Sequence, residues 1–189
     1  MAASTFWVEE NGTAGGTPAR GNTATTGISN INFGSRDQAN LTIASNVITG
    51  GTNSYDKYNY IMFSGSWNQL LNGRFNHSTG NLGVGISLFC LISGSGFYNT
   101  PSQGTNAQLN REITQTGLTS TGIVSNWVST GAYNNDYALT ATSGVVYNNA
   151  GWVGAVAYTP YIIQQIRTLA SASAGDGALM TWTFAWDEN

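Results

Sequence analysis

Reactive chemistry in this chain would have to come from few side chains. The sequence holds one histidine, His77, one cysteine, Cys90, and nine carboxylates: Glu9, Glu10, Asp37, Asp56, Glu112, Asp136, Asp176, Asp187 and Glu188. A Cys-His pair needs a thiolate in electropositive surroundings. Cys90 instead lies inside Ile86-Ser87-Leu88-Phe89-Cys90-Leu91-Ile92, an apolar run that reads as a buried strand. His77 lies in the polar, turn-like stretch Phe75-Asn76-His77-Ser78 and reads as a solvated surface residue. One His and one Cys without ligand spacing do not make a tetrahedral zinc site. Calcium asks for clustered carboxylates, and adjacent acids occur only as Glu9-Glu10 and Asp187-Glu188. A glycosidase needs two carboxyl groups facing each other across a cleft, and no pair is marked. The expectation is therefore a non-enzymatic protein with no catalytic residues, no metal and no cofactor.

The elements that carry these residues read as strands. Gly, Asn, Thr and Ser recur too often for long helices. The clearest strand is the last: Met180, Trp182, Phe184 and Trp186 share one face, and Thr181, Thr183, Ala185 and Asp187 the other. Tyr161 to Arg167 fits a turn or two of helix or a strand, and its β-branched residues after Pro160 favour the strand. Further strands are expected at Phe6 to Glu9, Ile28 to Phe33, Leu41 to Ile48, Tyr55 to Trp67 and Leu82 to Ile92. Others follow at Arg111 to Leu118, Ile123 to Val128, Tyr137 to Ala141, Gly144 to Tyr147 and Trp152 to Tyr158. Strands at this spacing, punctuated by Gly and Asn, predict an all-β fold, an antiparallel β-sandwich of jelly-roll type. Residues 1–27 read as an extended N-terminal arm or linker, and residues 28–189 as the sandwich domain. Residues 93–110 read as a long loop of the kind that often binds.

Composition narrows the function classes. Charged residues make up 8% of the 189 residues, against about 25% in a typical domain. Hydroxyls, amides and 12% aromatics take their place, a surface suited to contact with other subunits or with neutral sugars. The six basic residues are scattered, so no patch tracks a nucleic-acid backbone. No apolar stretch reaches membrane-spanning length, and the first residues lack the basic and apolar regions of a signal peptide. Tyrosines beside Asn or Asp suit sugar stacking or protein interfaces. Phe6, Trp7, Val8, Tyr58, Tyr98 and Asn99 are the candidate interface residues.

Several segments are familiar. Ser4-Thr5-Phe6-Trp7-Val8-Glu9-Glu10-Asn11-Gly12, Ile31-Asn32-Phe33-Gly34-Ser35 followed by Asn40-Leu41, and Asn53-Ser54-Tyr55-Asp56-Lys57-Tyr58 leading to Phe63-Ser64-Gly65 are three of them. The ending Thr181-Trp182-Thr183-Phe184-Ala185-Trp186-Asp187-Glu188 is the fourth. Together they resemble small structural virion proteins of tailed bacteriophages, over roughly the first third of the chain and the last strand. The resemblance implies a structural role in the virion, foremost as a capsid decoration (cement) protein, with a tail or fibre component next. The implied partners are the major capsid protein or other virion proteins and further copies of the chain, with a trimer favoured. The aromatic N-terminal stretch would reach to a neighbour as the arm. The alternative is a glycan-binding receptor module in which Tyr98 and Asn99 contact sugar.

Overall fold

The computed structural model describes residues 3–16, 19–65, 70–78, 82–93, 98–106, 109, 111–113, 156–159, 161–172 and 181–188. Over these residues the chain is all-β, with one 3-10 turn at Ile43–Ser45 and no α-helix. The strands are β1 (Ala3–Asn11), β2 (Thr23–Thr26), β3 (Lys57–Gly65), β4 (Leu70–Ser78) and β5 (Ile86–Ser93), then β6 (Arg111–Ile113), β7 (Val156–Tyr158), β8 (Tyr161–Thr168) and β9 (Thr181–Glu188). Every pairing is antiparallel. The larger sheet runs β2-β1-β3-β8-β5-β6, with β7 also beside β3, and β4 pairs with β9 in a second, two-stranded sheet.

Register explains why β3 and β8 lie at the centre. Tyr58 and Tyr60 project to one face with Val8 and Glu10 of β1, which they oppose directly. Tyr161 and Ile163 of β8 continue that face. Lys57, Asn59, Ile61 and Phe63 project to the other, with Glu9 of β1, Ile162, Gln164 and Ile166 of β8, and Leu88 and Cys90 of β5. Both sets are buried, so these strands carry apolar side chains on consecutive residues, as strands covered on both faces do. On the first face Val8, Tyr58, Tyr60, Tyr98, Leu109, Tyr161 and Ile163 form one cluster. On the second, the Phe63 ring meets Phe184 at 5.7 Å and Trp186 at 5.4 Å, both from β9.

β7 and β8 run along the same edge of β3 but one residue out of step. Met62 opposes Tyr158, whereas Asn59 opposes Ile162. Thr159 spans the step: its N–H donates to the Ile61 carbonyl at 2.9 Å, and its Oγ1 accepts from the Ile61 N–H at 3.0 Å. An extra residue at such a point is a β-bulge. A second register shift interrupts β4 between Leu71 and Arg74, where Gly73 lies.

Four sequence expectations meet a different structure. The stretch expected as an extended N-terminal arm is built into this chain's own sheet, with β1 hydrogen-bonded between β2 and β3. The strands expected at Ile28 to Phe33 and Leu41 to Ile48 are irregular chain with the 3-10 turn. Their apolar residues Ile28, whose N–H donates to the Trp7 carbonyl at 3.1 Å just past β2, and Leu41 are buried anchors outside any strand. At Gly34 a Cβ would come within 2.1 Å of the Leu41 side chain and 2.7 Å of the Asn46 carbonyl, so the loop closes here only on glycine. His77 lies in β4, opposite Trp182 of β9, rather than in a turn. Tyr161 to Arg167 is strand β8, and Cys90 is buried, both as expected. The strands expected at 123–128, 137–141 and 144–147 lie outside the described residues.

Candidate functional site

Period-two alternation puts two acids on opposite faces of β1. Glu9 and Glu10 are consecutive, so one enters each side of the sheet. On the Phe63 side, Lys57 Nζ donates to Glu9 Oε1 at 2.7 Å and to the Gln38 carbonyl at 2.8 Å, and both charged side chains are fully buried. Asn11 Nδ2 donates to Glu9 Oε1 at 3.0 Å and to Asp37 Oδ1 at 2.8 Å. The Gly12 N–H completes the Asp37 carboxylate at 2.7 Å. Directly beside this pair are two fully buried amides, Asn59 opposite Glu9 and Gln164 opposite Lys57. Among the described residues neither amide has a hydrogen-bond partner.

On the tyrosine side, Tyr161 donates its hydroxyl to Glu10 Oε2 at 2.5 Å, and the Gly21 N–H donates to the same oxygen at 2.9 Å. Arg20 comes from the connection between β1 and β2. Its Nη1 donates to the Tyr161 hydroxyl at 3.0 Å and lies 3.4 Å from Glu10 Oε1. Its guanidinium carbon stands 5.2, 5.8 and 5.5 Å from the ring centres of Tyr60, Tyr158 and Tyr161, within cation-π range. Burial pushes the Tyr161 hydroxyl up in pKa, and its bond to Glu10 and that carboxylate's charge add to the shift. Tyr60 is raised by burial and then by the charge of Glu10. Both phenols stay protonated donors at neutral pH. Burial acts to lower the Arg20 pKa, but Tyr161 and Glu10 outweigh it and the net shift is upward.

The loop before β6 closes this face. Tyr98 packs 4.6 Å from Tyr58 and donates its hydroxyl to the Gly12 carbonyl at 2.7 Å. A Cβ on Gly21 would come within 2.7 Å of the Asn11 carbonyl and 2.8 Å of the Tyr98 hydroxyl, so only glycine lets the chain cross here. Further along, Arg167 Nη2 donates to the Asn106 and Leu109 carbonyls at 2.7 and 3.0 Å, with its guanidinium 3.8 Å above the Phe89 ring. Asn106 Nδ2 donates to Asp56 Oδ2 at 3.3 Å. Burial raises Asp56 to a pKa of about 6, partly offset by its hydrogen bonds to Asn106 and Ser102.

This arrangement is built to hold strands and loops. The carboxylates of Glu9, Glu10, Asp37 and Asp56 are each engaged by a donor from elsewhere in the chain. Among the described residues no group of three His, Cys, Asp or Glu side chains is placed to hold a metal ion, and no helix is long and apolar enough to cross a membrane.

The six candidate interface residues separate. Val8, Tyr58 and Tyr98 are buried in the tyrosine core, because their register or ring contacts turn them inward rather than to a contact surface. Trp7 is half-buried, while Phe6, 38% exposed, and Asn99 reach the surface. The sequence reading missed Lys57, Arg20 and Tyr161 as partners of Glu9 and Glu10. A signal was present for Lys57, which falls in step with Ile61 and Phe63. A charge on an apolar face requires a buried counter-charge. No family model, curated protein or solved structure matches the chain.

Proposed function

We propose that this chain is a structural virion protein of a tailed phage, foremost a capsid decoration protein that stabilises the head through protein-protein contacts. One observation carries the reading: the described ionic groups near β1 and β3 are spent on internal locks, while neutral and apolar side chains face outward. Val84, 86% exposed, precedes β5, and Leu169, 65% exposed, follows β8. The two turns are joined by the Leu169 N–H to the Gly85 carbonyl at 2.7 Å. The loop at 49–52 docks at the same end through Thr168, and Val47 just before it is 55% exposed. Such a surface is cheap to desolvate and favours association over life as a free monomer. Repetition on a particle lets weak single contacts suffice. In this reading β4 and β9, seated on Phe63, are the second layer of a jelly-roll-like sandwich, and copies associate, with a trimer favoured.

Mixing the purified chain with phage heads that lack decoration, followed by co-sedimentation and cryo-electron microscopy, tests the proposal. Symmetric, saturable occupancy of the shell is the expected result. Absence from heads combined with reproducible binding to a host polysaccharide would replace it with the receptor-module reading. That alternative has lost one support, since the Tyr98 ring is buried and only Asn99 of the pair is exposed.

A further inference from the structure

The surroundings of Arg20 have the form of a receptor. Tyr60 comes from β3, Tyr158 from β7 and Tyr161 from β8, while Glu10 comes from β1. The walls hold one another without help from the arginine: Tyr60 meets Tyr158 edge-on at 5.6 Å and Tyr161 edge-on at 5.7 Å. The Glu10 carboxylate is fixed by the Tyr161 hydroxyl and the Gly21 N–H. Aromatic walls around a carboxylate are the usual means of taking a cation. Hydrogen bonding narrows which cation. The Tyr161 oxygen accepts an N–H from Arg20, and Glu10 Oε1 faces the same nitrogen at 3.4 Å. A guanidinium nitrogen with two N–H donors faces both, whereas a quaternary ammonium offers no donor. The occupant arrives on the connection between β1 and β2, pinned through paired bonds between Gly15 and Arg20 of 2.8 and 2.9 Å. A third of the Arg20 side chain remains exposed, against 4% of Glu10, so the cage opens to solvent on the arginine's side.

We propose that Glu10, Tyr60, Tyr158 and Tyr161 form a guanidinium-binding site that accepts an arginine side chain, with Arg20 as its internal ligand. An arginine on a protein partner then binds only where Arg20 has left. This assignment stands independently of the virion reading, because it rests on the geometry of one cage.

Chemical rescue tests it. The Arg20→Ala variant is melted with increasing methylguanidine at constant ionic strength, with tetramethylammonium as the control cation and the parent protein as the control host. The expected result is a saturable rise in Tm for the variant, absent in the parent. The half-saturating concentration should be at least about tenfold lower for methylguanidine than for tetramethylammonium, the added hydrogen bonds to charged partners accounting for the difference. No saturable rise, an equal rise in the parent, or an equal response to tetramethylammonium overturns the assignment. Should Arg20→Ala not fold, Arg20→Gln serves as host, since it keeps part of the side-chain packing but leaves the cage without a cation. The same outcomes then decide.

Discussion

At the scale of single residues, the Lys57–Glu9 pair sets the sharpest expectations. Both side chains are fully buried, so removing one partner strands the other charge. Lys57→Met or Glu9→Gln should each cost about 3–5 kcal/mol in urea unfolding, with the Lys57→Met/Glu9→Leu double variant recovering much of the loss. Gln164 predicts the opposite sign. Its amide is buried with no partner among the described residues, and Gln164→Met keeps the shape while removing these polar atoms. That change should stabilise by about 1 kcal/mol, read from the same unfolding curves. Asp56 adds a pH dependence. Its pKa of about 6 lies above its ordinary 3.8, so the folded state binds a proton that the unfolded state releases. Its contribution is fully present below 3.8 and lost as pH rises through about 6. Asp56→Asn should therefore melt above the parent at pH 7, with the gap closing towards pH 4. A gap that is constant over this range would show that Asp56 is not desolvated. At this scale the sequence was partly legible. Cys90 as a buried residue followed from its apolar flanks, and the oddity of Lys57 was visible in its period. The partners were not, because Glu10 and Tyr161 meet across 151 residues.

Elements were more legible than their connections. β3, β5, β8 and β9 follow from aromatic and β-branched runs, since such runs bury well on a pleated surface. The contact of β9 with the larger sheet was implicit in its Phe184 and Trp186 face, although the receiving residue, Phe63, was not. Phe63→Ala should cost about 3–5 kcal/mol and loosen β4 and β9 first. Hydrogen exchange should then show faster loss of protection at 181–188 than at 161–168. Equal loss in both would mean that β9 does not depend on this contact. β2 and β4 escaped notice for physical reasons. Thr23-Ala24-Thr25-Thr26 is exposed edge strand with no apolar face, and β4 is broken in register around Gly73. Conversely, Ile28 and Leu41 mimicked strand residues because a loop that is buried at two points also carries isolated apolar anchors.

For the whole molecule, composition foretold an all-β chain of low charge but not where its first segment goes. A Gly- and Thr-rich beginning reads as slack, and nothing local says that Glu9 and Glu10 will be matched on both faces of a sheet. Surface behaviour belongs to this scale as well. Under the proposed self-association, Val84→Lys/Leu169→Lys, which places two charges on the exposed apolar end, should weaken association by at least about tenfold in analytical ultracentrifugation, with fold stability changed by less than ~0.5 kcal/mol per site. An unchanged association constant would move the contact surface elsewhere, with the exposed Phe6 next to be tested.

The placement of β1 also has a consequence for biosynthesis. Translation delivers Glu10 and Arg20 long before Tyr161, their shared partner 151 and 141 residues later. At ~5–20 residues per second Glu10 waits roughly 8–30 s for its tyrosine, although Lys57 reaches Glu9 much sooner. The nascent chain thus cannot finish its central sheet until β8 has left the ribosome. Slowing elongation beyond residue 113 should lengthen the period in which the growing polypeptide needs chaperones, in proportion to the delay before β8 emerges.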